Sequence, residues 1–277
     1  MIDLHLHTTA SDGRLTPTEL VALASASGVR ILAVTDHDTT DGLDEAAAEA
    51  GRRGLVTVPG IEITAVENGR DLHMLGYFFD PFEESLVRFL IRQRVTRITR
   101  IADMAVRLAQ LGLPVDVQPL LDDARRHTNK SIGRPTLARA MISAGHVATT
   151  NEAFDKWLGQ ERPAFVERVG PSPEEVIGTL HRAGGIASLA HPGRTKIDGQ
   201  IAALREAGLD AIEAYHSDHD AAATDGYLAR ARALDLLVTG GSDFHGDPAH
   251  GLEPGASTLP QPEWERLLRA RMKHGGR

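Results

Sequence analysis

The residues that most constrain the fold are Met1-Ile2-Asp3-Leu4-His5-Leu6-His7-Thr8-Thr9-Ala10-Ser11-Asp12. Apolar residues alternate in it with Asp3, His5 and His7, which is the period-two pattern of a β-strand. The two histidines therefore share one face of a strand, and a loop can return the carboxylate of Asp12 to them. Imidazole and carboxylate groups are ligands that zinc, manganese and iron favour. A His-x-His pair alone fits a half-exposed strand equally well, so the remaining chain has to decide.

The composition narrows the class of protein. The chain has 277 residues, of which 42% are hydrophobic and 4% aromatic, and this suits one aliphatic α/β barrel with an insertion, or two smaller domains. The absence of cysteine excludes thiolate ligands and favours a reducing, cytoplasmic location. A net charge of −8 argues against broad binding to duplex DNA. We expect no membrane span and no signal peptide, and the sequence does not determine the oligomeric state.

Strand-like and helix-like segments alternate in the first 80 residues and again after residue 163. Thr16, Pro17 and Glu19 carry the capping-box pattern of a helix start, and Ser172 with Pro173 repeats the N-cap and proline signal. After the first strand, further strands are predicted over 31–38, 55–64, 72–79, 185–190, 211–215 and 236–239. This alternation is typical of βα units and predicts a mostly parallel sheet.

Helical patterning replaces the alternation between residues 81 and 163. Helices are predicted over 83–111, 136–144 and 152–158, so we assign 81–163 to a helical insertion or cap and assign 1–80 with 164–277 to the barrel. The segment 125–134 is the densest basic cluster of the chain, and it contains Asn129, Lys130, Ser131 and Arg134. A solvated loop would carry similar charges, so an anion-binding role is one of two interpretations.

Almost every predicted strand ends in, or carries, a polar side chain that could bind a metal or move a proton. In a parallel α/β barrel the carboxyl ends of the strands converge on one face, where catalytic groups collect. Such a recurrence predicts a polynuclear metal site at that face. The residues are His5, His7, His37, Glu62, His73, His191, His216, Asp243 and His245.

Five ordered motifs in the chain resemble those of the polymerase-and-histidinol-phosphatase (PHP) family. They are Asp3-Leu4-His5-Leu6-His7 with Ser11-Asp12-Gly13, Thr35-Asp36-His37-Asp38, Pro59-Gly60-Ile61-Glu62-Ile63-Thr64, Ala190-His191-Pro192 and Gly241-Ser242-Asp243-Phe244-His245. The resemblance implies a distorted (β/α)7 barrel related to the amidohydrolases, with a helical insertion. It also implies two to three divalent ions at the barrel mouth, with manganese as the expected metal and iron or zinc as alternatives.

Carried over by motif, the resemblance implies three sets of ligands. The first ion would be bound by His5, His7, Glu62 and Asp243. The second would share Glu62 and add His73 and His191, and the third would be bound by Asp12, His37 and His245. None of these ligand positions is missing from the sequence.

These ligands predict hydrolysis of a phosphoester. A hydroxide that bridges two ions would be the nucleophile, with Glu62 and Asp243 as catalytic residues that hold those ions. His216 fits none of the ligand positions, so we assign it to phosphate binding or to protonation of the leaving group, with a structural histidine as the alternative. Asn129, Lys130, Ser131 and Arg134, joined by Arg194 from the barrel side, suggest a pocket for a second anionic group on the substrate.

Among PHP proteins, the length and the insertion most resemble the 3′,5′-nucleoside bisphosphate phosphatases, which remove the 3′-phosphate and leave a 5′-monophosphate. Members of that branch also trim short 5′-phosphorylated RNA. The expected partner is therefore a small nucleotide or a short RNA. Two alternatives stay open: a histidinol-phosphate phosphatase, whose substrate carries a cationic amine, and a non-catalytic PHP module that assists a polymerase.

Overall fold

Seven strands form one sheet that curves into a nearly closed barrel. The structure, a computed structural model, describes residues 1–126, 131–195, 197–247 and 252–274. The strands follow the chain in order around the sheet. They are β1 (Ile2–Leu6), β2 (Ile31–Val34), β3 (Val56–Glu67), β4 (Arg70–Tyr77), β5 (Ile186–Leu189), β6 (Ala211–His216) and β7 (Leu237–Gly241).

The barrel closes where the ends of β1 and β7 meet. The backbone N–H of His7 donates to the carbonyl of Phe244 at 3.0 Å, and that of Asp243 donates to the carbonyl of His5 at 2.9 Å. Glycine is required at residue 241, because a Cβ there would lie 2.4 Å from the backbone nitrogen of His5. This close approach brings the first and last motifs of the sequence side by side.

The sheet is mostly parallel, as predicted, but β4 runs antiparallel to both of its neighbours. Asn68 and Gly69 join β3 to β4 in a tight hairpin, and both have positive φ angles of 51° and 75°. Asn-Gly is the residue pair that a type I′ turn favours. The predicted strand ends at residue 64, but β3 continues to Glu67, directly before this turn.

Helices cover the outside of the barrel, and the predicted helix starts are confirmed. The side chain of Thr16 accepts from Glu19 in a capping box, and Ser172 caps the helix that begins at Pro173. The helices are α1 (Pro17–Ala26), α2 (Leu43–Arg53), α7 (Pro173–Arg182), α8 (Pro192–Thr195), α9 (Ile201–Glu206), α10 (Ala221–Ala233) and α11 (Gln261–His274). Within the described ranges, no helix is long and apolar enough to cross a membrane.

The remaining helices lie between β4 and α7. They are α3 (Glu84–Gln110), α4 (Gln118–Arg126), α5 (Arg134–Ser143) and α6 (Thr150–Ala153), which continues as a π-helical turn over Phe154–Leu158. These helices bury an apolar cluster of their own, which includes Met104, Leu137 and Met141. The backbone N–H of Ser131 and the side chain of Arg139 donate to the carbonyls of Ala10 and Asp12. The helices therefore contact the first loop of the barrel, and the domain boundaries at 81 and 163 stay a prediction.

Candidate metal centre

The candidate ligands come together at one mouth of the barrel, although fewer of them end a strand than the sequence suggests. His5 lies inside β1 and Glu62 lies in the middle of β3. His73 lies in the first half of β4, and it reaches the same mouth because β4 runs in the opposite direction. The remaining candidates occupy the loops that follow β1, β2, β5 and β7: His7, Asp12, His37, His191, Asp243 and His245.

Glu62 lies at the centre of the cluster and is 1% exposed. Its Oε1 atom lies 2.8 Å from His73 Nδ1 and 3.0 Å from His191 Nε2. Its Oε2 atom faces three other imidazoles, at 3.3 Å from His5, 3.2 Å from His7 and 3.2 Å from His37. One carboxylate thus has each of its oxygens directed toward a different group of ring nitrogens, which is the arrangement of a bridging ligand.

Two further carboxylates complete the cluster. Asp243 Oδ1 lies 3.3 Å from His5 Nε2 and 3.2 Å from His7 Nε2. On the opposite side, Asp12 lies 3.3 Å from His245 Nε2 and 3.6 Å from His37 Nε2. His5, His7, Glu62 and Asp243 therefore form one potential metal-binding group, and His7, Asp12, His37 and His245 form another.

The nitrogen and oxygen atoms of the cluster are better arranged to bind divalent cations than to form hydrogen bonds with one another. Carboxylate oxygens lie near several of these nitrogens, but not in the geometry of a hydrogen bond. Within the described parts of the chain, both ring nitrogens of His7 and the Nδ1 atoms of His37, His73 and His191 are buried without a hydrogen-bond partner. Buried polar atoms are rarely left unpaired. Two ligands about 2.1 Å from one tetrahedral ion lie about 3.4 Å apart, close to the separations around Glu62. Cations among these atoms would satisfy the unpaired nitrogens.

The charges of the cluster depend on burial and on the close approach of opposite groups. Burial opposes ionisation of Glu62, but the charge of His5 and a hydrogen bond to His191 help to hold its pKa well below the ordinary value. Burial lowers the pKa of His37 to about 3, so that its imidazole is neutral. The pKa of His7 rises to about 10 because Asp243 and Glu62 outweigh the effect of its burial. A metal would therefore displace a proton from His7 on binding.

His216 ends β6 and is directed toward the same centre. The backbone N–H of Asp218 donates to its Nδ1 atom at 3.0 Å. Because Nδ1 accepts that bond, the neutral ring carries its proton on Nε2. The Nε2 atom lies 3.4 Å from Asp243 Oδ2 and is buried without a hydrogen-bond partner among the described residues. In this tautomer, His216 directs an N–H group toward the pocket. His5, Glu213 and His216 also lie close enough together to form a third potential metal-binding group.

Three further buried carboxylates form hydrogen bonds with residues of the cluster or of its loops. No role is predicted for them from the sequence. Asp36 accepts hydrogen bonds from Thr8 and Ser11 and orders the loop that carries Asp12. Asp3 accepts from the backbone and hydroxyl of Ser242. Glu213 is fully buried in β6 beside His5. A lone carboxylate within the apolar strand Ala211-Ile212-Glu213-Ala214 is the signal that could have identified it, since a buried charge needs a partner.

The other wall of the pocket is basic. We call it the arginine wall, and it consists of Arg97, Arg100, Arg134 and Arg168. These four guanidinium groups share the carboxylates of Asp38 and Asp71. Arg100 Nη2 and Arg168 Nε are buried and have no hydrogen-bond partner within the described ranges. The wall thus holds more positive charge and more donors than its own carboxylates use.

The predicted anion-binding residues have different positions in the structure. Arg134 lines the pocket, donates to Asp71 at 3.1 Å and lies over the rings of Phe154 and Phe165. Ser131 is buried, and its hydroxyl has no partner in the described part of the chain. Asn129 and Lys130 lie outside the described residues. Arg97, Arg100 and Arg168 also line the pocket, and the sequence does not predict this, because neither the spacing in α3 nor the segment before α7 shows which arginines face inward.

Arg194 enters the pocket from the barrel side, as predicted, but its guanidinium contacts carboxylates. It lies 2.8 Å from Asp243 Oδ2 and 2.8 Å from Asp218 Oδ2. Burial disfavours the charged form of Arg194, but Asp243 and Asp218 raise its pKa. Arg194 therefore neutralises the outer oxygen of Asp243 at the rim of the pocket.

Comparisons with known proteins agree with this geometry. The sequence profile of the PHP domain matches residues 3–157. A 5′-3′ exoribonuclease from Haemophilus influenzae is 35% identical over 88% of this chain and 89% of its own length. A 3′,5′-nucleoside bisphosphate phosphatase from Chromobacterium violaceum is 34% identical over 96% of each chain.

A solved structure from Bifidobacterium adolescentis extends the likeness to three dimensions. That protein, described provisionally as a metal-dependent phosphoesterase, superimposes with a TM-score of 0.87 at 34% identity, over 97% of this chain and 95% of its own. The predicted barrel class is thereby confirmed. The chain belongs to the PHP domain family and is a metal-dependent phosphoesterase.

Proposed function

We propose that this phosphoesterase removes the 3′-phosphate from nucleoside 3′,5′-bisphosphates and leaves the 5′-monophosphate. We include short 5′-phosphorylated oligoribonucleotides as further substrates. The bisphosphate phosphatase of Chromobacterium violaceum supports the first activity, and the exoribonuclease of Haemophilus influenzae supports the second.

The observation that carries the proposal is the division of one cavity into two walls of opposite character. The cavity measures about 570 Å³ and is lined both by most of the candidate ligands and by the arginine wall. A metal centre needs no arginine wall to bind a single phosphate. The unpaired donors of Arg100 and Arg168 therefore favour a substrate with a second anionic group.

We assign the candidate ligands to the same three ions that the family resemblance implies. His5, His7, Glu62 and Asp243 would bind one ion, Glu62 with His73 and His191 a second, and Asp12, His37 and His245 a third. Manganese remains the metal we expect, with iron or zinc as alternatives. When bound, such ions lower the pKa of a coordinated water and stabilise the charge that develops on the phosphate oxygens.

The side chains of the pocket supply the remaining functions. His216 Nε2, which lies 3.4 Å from Asp243 Oδ2, would donate the proton that the leaving 3′-oxygen needs. Arg194 at the rim can exchange Asp218 for a phosphate oxygen, since its contacts are charge pairs at a half-exposed position. Arg134 and Ser131, together with the predicted Asn129 and Lys130, would bind the retained 5′-phosphate.

The alternative substrates fit the pocket less well. Histidinol phosphate carries an ammonium group, which the arginine wall would repel, and Asp71 is already paired with Arg100 and Arg134. A non-catalytic polymerase module is disfavoured because the two relatives are enzymes that align over at least 89% of their own lengths.

The test compares phosphate release from adenosine 3′,5′-bisphosphate and from histidinol phosphate, side by side, in the presence of manganese. We expect efficient turnover of the bisphosphate and 5′-AMP as the nucleotide product. A preference for histidinol phosphate, or release of the 5′-phosphate to give 3′-AMP, would contradict the proposal.

A further inference from the structure

We propose that Glu213 is a positioning residue of the metal centre, which fixes the imidazole of His5 and the backbone of His191 through its two oxygens. Although Glu213 lies close enough to His5 and His216 to share an ion with them, both of its oxygens are already engaged by protein groups, so we do not assign it as a ligand. The inference rests on the proposed metal site, but it does not depend on which phosphoester the enzyme hydrolyses.

The contacts of Glu213 connect two candidate ligands from different strands. Its Oε1 atom lies 3.0 Å from His5 Nδ1, and its Oε2 atom accepts the backbone N–H of His191 at 2.8 Å. Glu213 and His5 are both completely buried. A carboxylate that is removed from water in this way is stable only when its oxygens are paired, and here both of the pairs belong to the metal centre.

The first contact determines which nitrogen of His5 is available to a metal. An ionised carboxylate only accepts hydrogen bonds, so His5 must carry its proton on Nδ1. The lone pair then remains on Nε2, which lies 3.3 Å from both Glu62 Oε2 and Asp243 Oδ1. Carboxylates that hold a metal-binding histidine through its other nitrogen fix the tautomer and ring orientation in this manner.

The second contact holds a strained backbone. His191 has a φ angle of 25°, in the region that residues with a side chain rarely occupy. The bond from its N–H to Glu213 is a charge-assisted hydrogen bond within the barrel. This bond keeps the ring of His191 directed toward Glu62, at 3.0 Å.

Replacement of Glu213 by glutamine allows only one of the two contacts, to His5 or to His191, to be kept. The reason is that an amide has one acceptor end and one donor end. If the carbonyl faces His191, the amide N–H₂ faces His5 and favours the tautomer with its proton on Nε2. If the amide is reversed, the backbone N–H of His191 loses its acceptor. Either orientation disturbs one candidate ligand while the volume of the side chain is conserved.

The experiment measures Mn²⁺ affinity by equilibrium dialysis and metal analysis of the full-length wild-type protein, Glu213→Gln and Asp210→Asn. Asp210 is a matched control, since it also accepts from a histidine and a backbone N–H, those of His181 and Ala187, outside the cluster. We expect the affinity for at least one ion to fall about 10- to 100-fold in Glu213→Gln. We expect the wild-type affinity in Asp210→Asn.

Equal Mn²⁺ affinities in Glu213→Gln and the wild type would overturn the inference and leave the metal site intact. A wild-type protein that binds no Mn²⁺ would instead overturn the metal site, and this inference with it. Should Glu213→Gln fail to fold, the tautomer of His5 in the zinc-loaded wild type, read from long-range ¹H–¹⁵N correlations, decides the question. A proton on Nδ1 is expected, and a proton on Nε2 would overturn the role of Glu213.

Discussion

The metal-ligand cluster and the arginine wall line one cavity, and they are built in opposite ways. In the cluster, imidazole and carboxylate groups from different strands of the barrel surround Glu62, and buried nitrogens lack hydrogen-bond partners in the described residues. In the wall, four guanidinium groups share two carboxylates, and the unpaired atoms are donors. The cluster therefore attracts cations and the wall attracts anions.

The two regions therefore have separate tasks, and mutations can distinguish them. Loss of a group from the cluster should abolish chemistry on every phosphoester. Loss of a group from the wall should weaken the binding only of substrates that carry a second phosphate group. The predictions below test that separation.

The largest effect is expected for Glu62→Gln and for Asp243→Asn. Each replacement removes a charge that faces two or more imidazoles while it preserves the shape of the side chain. We expect kcat to fall on the order of 10³-fold or more on every phosphoester, with a folded protein by circular dichroism and reduced metal content. Near-normal turnover in either variant would show that the cluster does not carry the chemistry.

A smaller loss is expected for His216→Gln. If His216 donates a proton to the leaving group, kcat should fall on the order of 10²-fold, while the bound manganese stays at the wild-type level. The loss should shrink with p-nitrophenyl phosphate, whose leaving group needs no proton. A fall in metal content that parallels the fall in kcat would instead identify His216 as a ligand.

The arginine wall is tested by Arg134→Ala. We expect KM for adenosine 3′,5′-bisphosphate to rise about tenfold or more with little change in kcat, because the lost contact is made equally before and during the reaction. The matched control is Arg125→Ala, which removes an exposed arginine of α4 that is paired with Asp122. An equal rise in KM for a substrate with one phosphate would contradict a second anion site.

The smallest effect concerns the acid stability of the wall. Burial raises the pKa of Asp71, but Arg100, Arg134 and Arg168 outweigh it and hold the value at about 2. Because the folded value lies below the unfolded value, Asp71 stabilises the fold above about pH 4, and this contribution is lost as the pH falls toward 2. The shift corresponds to about 1–2 kcal/mol after allowance for solvent screening.

We therefore expect Asp71→Asn to lower the free energy of unfolding more at pH 7 than at pH 3, as measured by urea denaturation. Asp122→Asn, at an exposed carboxylate of α4, provides the control. A difference between Asp71→Asn and the wild type that is the same at both pH values would contradict the assignment.

Much of the fold and of the cluster can be predicted from the sequence, because short-range patterns report them. The alternation in β1 places His5 and His7 on one face, and the βα rhythm predicts seven strands whose polar residues share one mouth. Thr16 and Glu19 mark the first helix through local hydrogen bonds. Each of these signals lies within a few residues of the structure that it predicts.

The remaining features depend on contacts between distant parts of the chain. Glu213 supports the cluster only because β6 lies beside His5, and Arg97, Arg100 and Arg168 face the pocket only because α3 and the segment before α7 pack there. No periodicity distinguishes Arg97 and Arg100 from the exposed arginines of α3, and Arg168 lies outside the helices. The reversed direction of β4, in contrast, can be predicted from a local signal, which is the Asn68-Gly69 turn.

The junction of β1 and β7 has a consequence for how the chain folds. His5 and Asp243 stand almost a full chain length apart in sequence, yet any ion that both of them bind joins the two edges of the sheet. Such an ion would act as a removable cross-link between His5 and Asp243. The chain segment that it closes is nearly the whole protein, and the entropy cost of closing a segment rises with its length. Removal of the ion by a chelator would then weaken the junction of β1 and β7 first. The susceptibility of the two ends of the chain to proteases would therefore report whether the metal is bound.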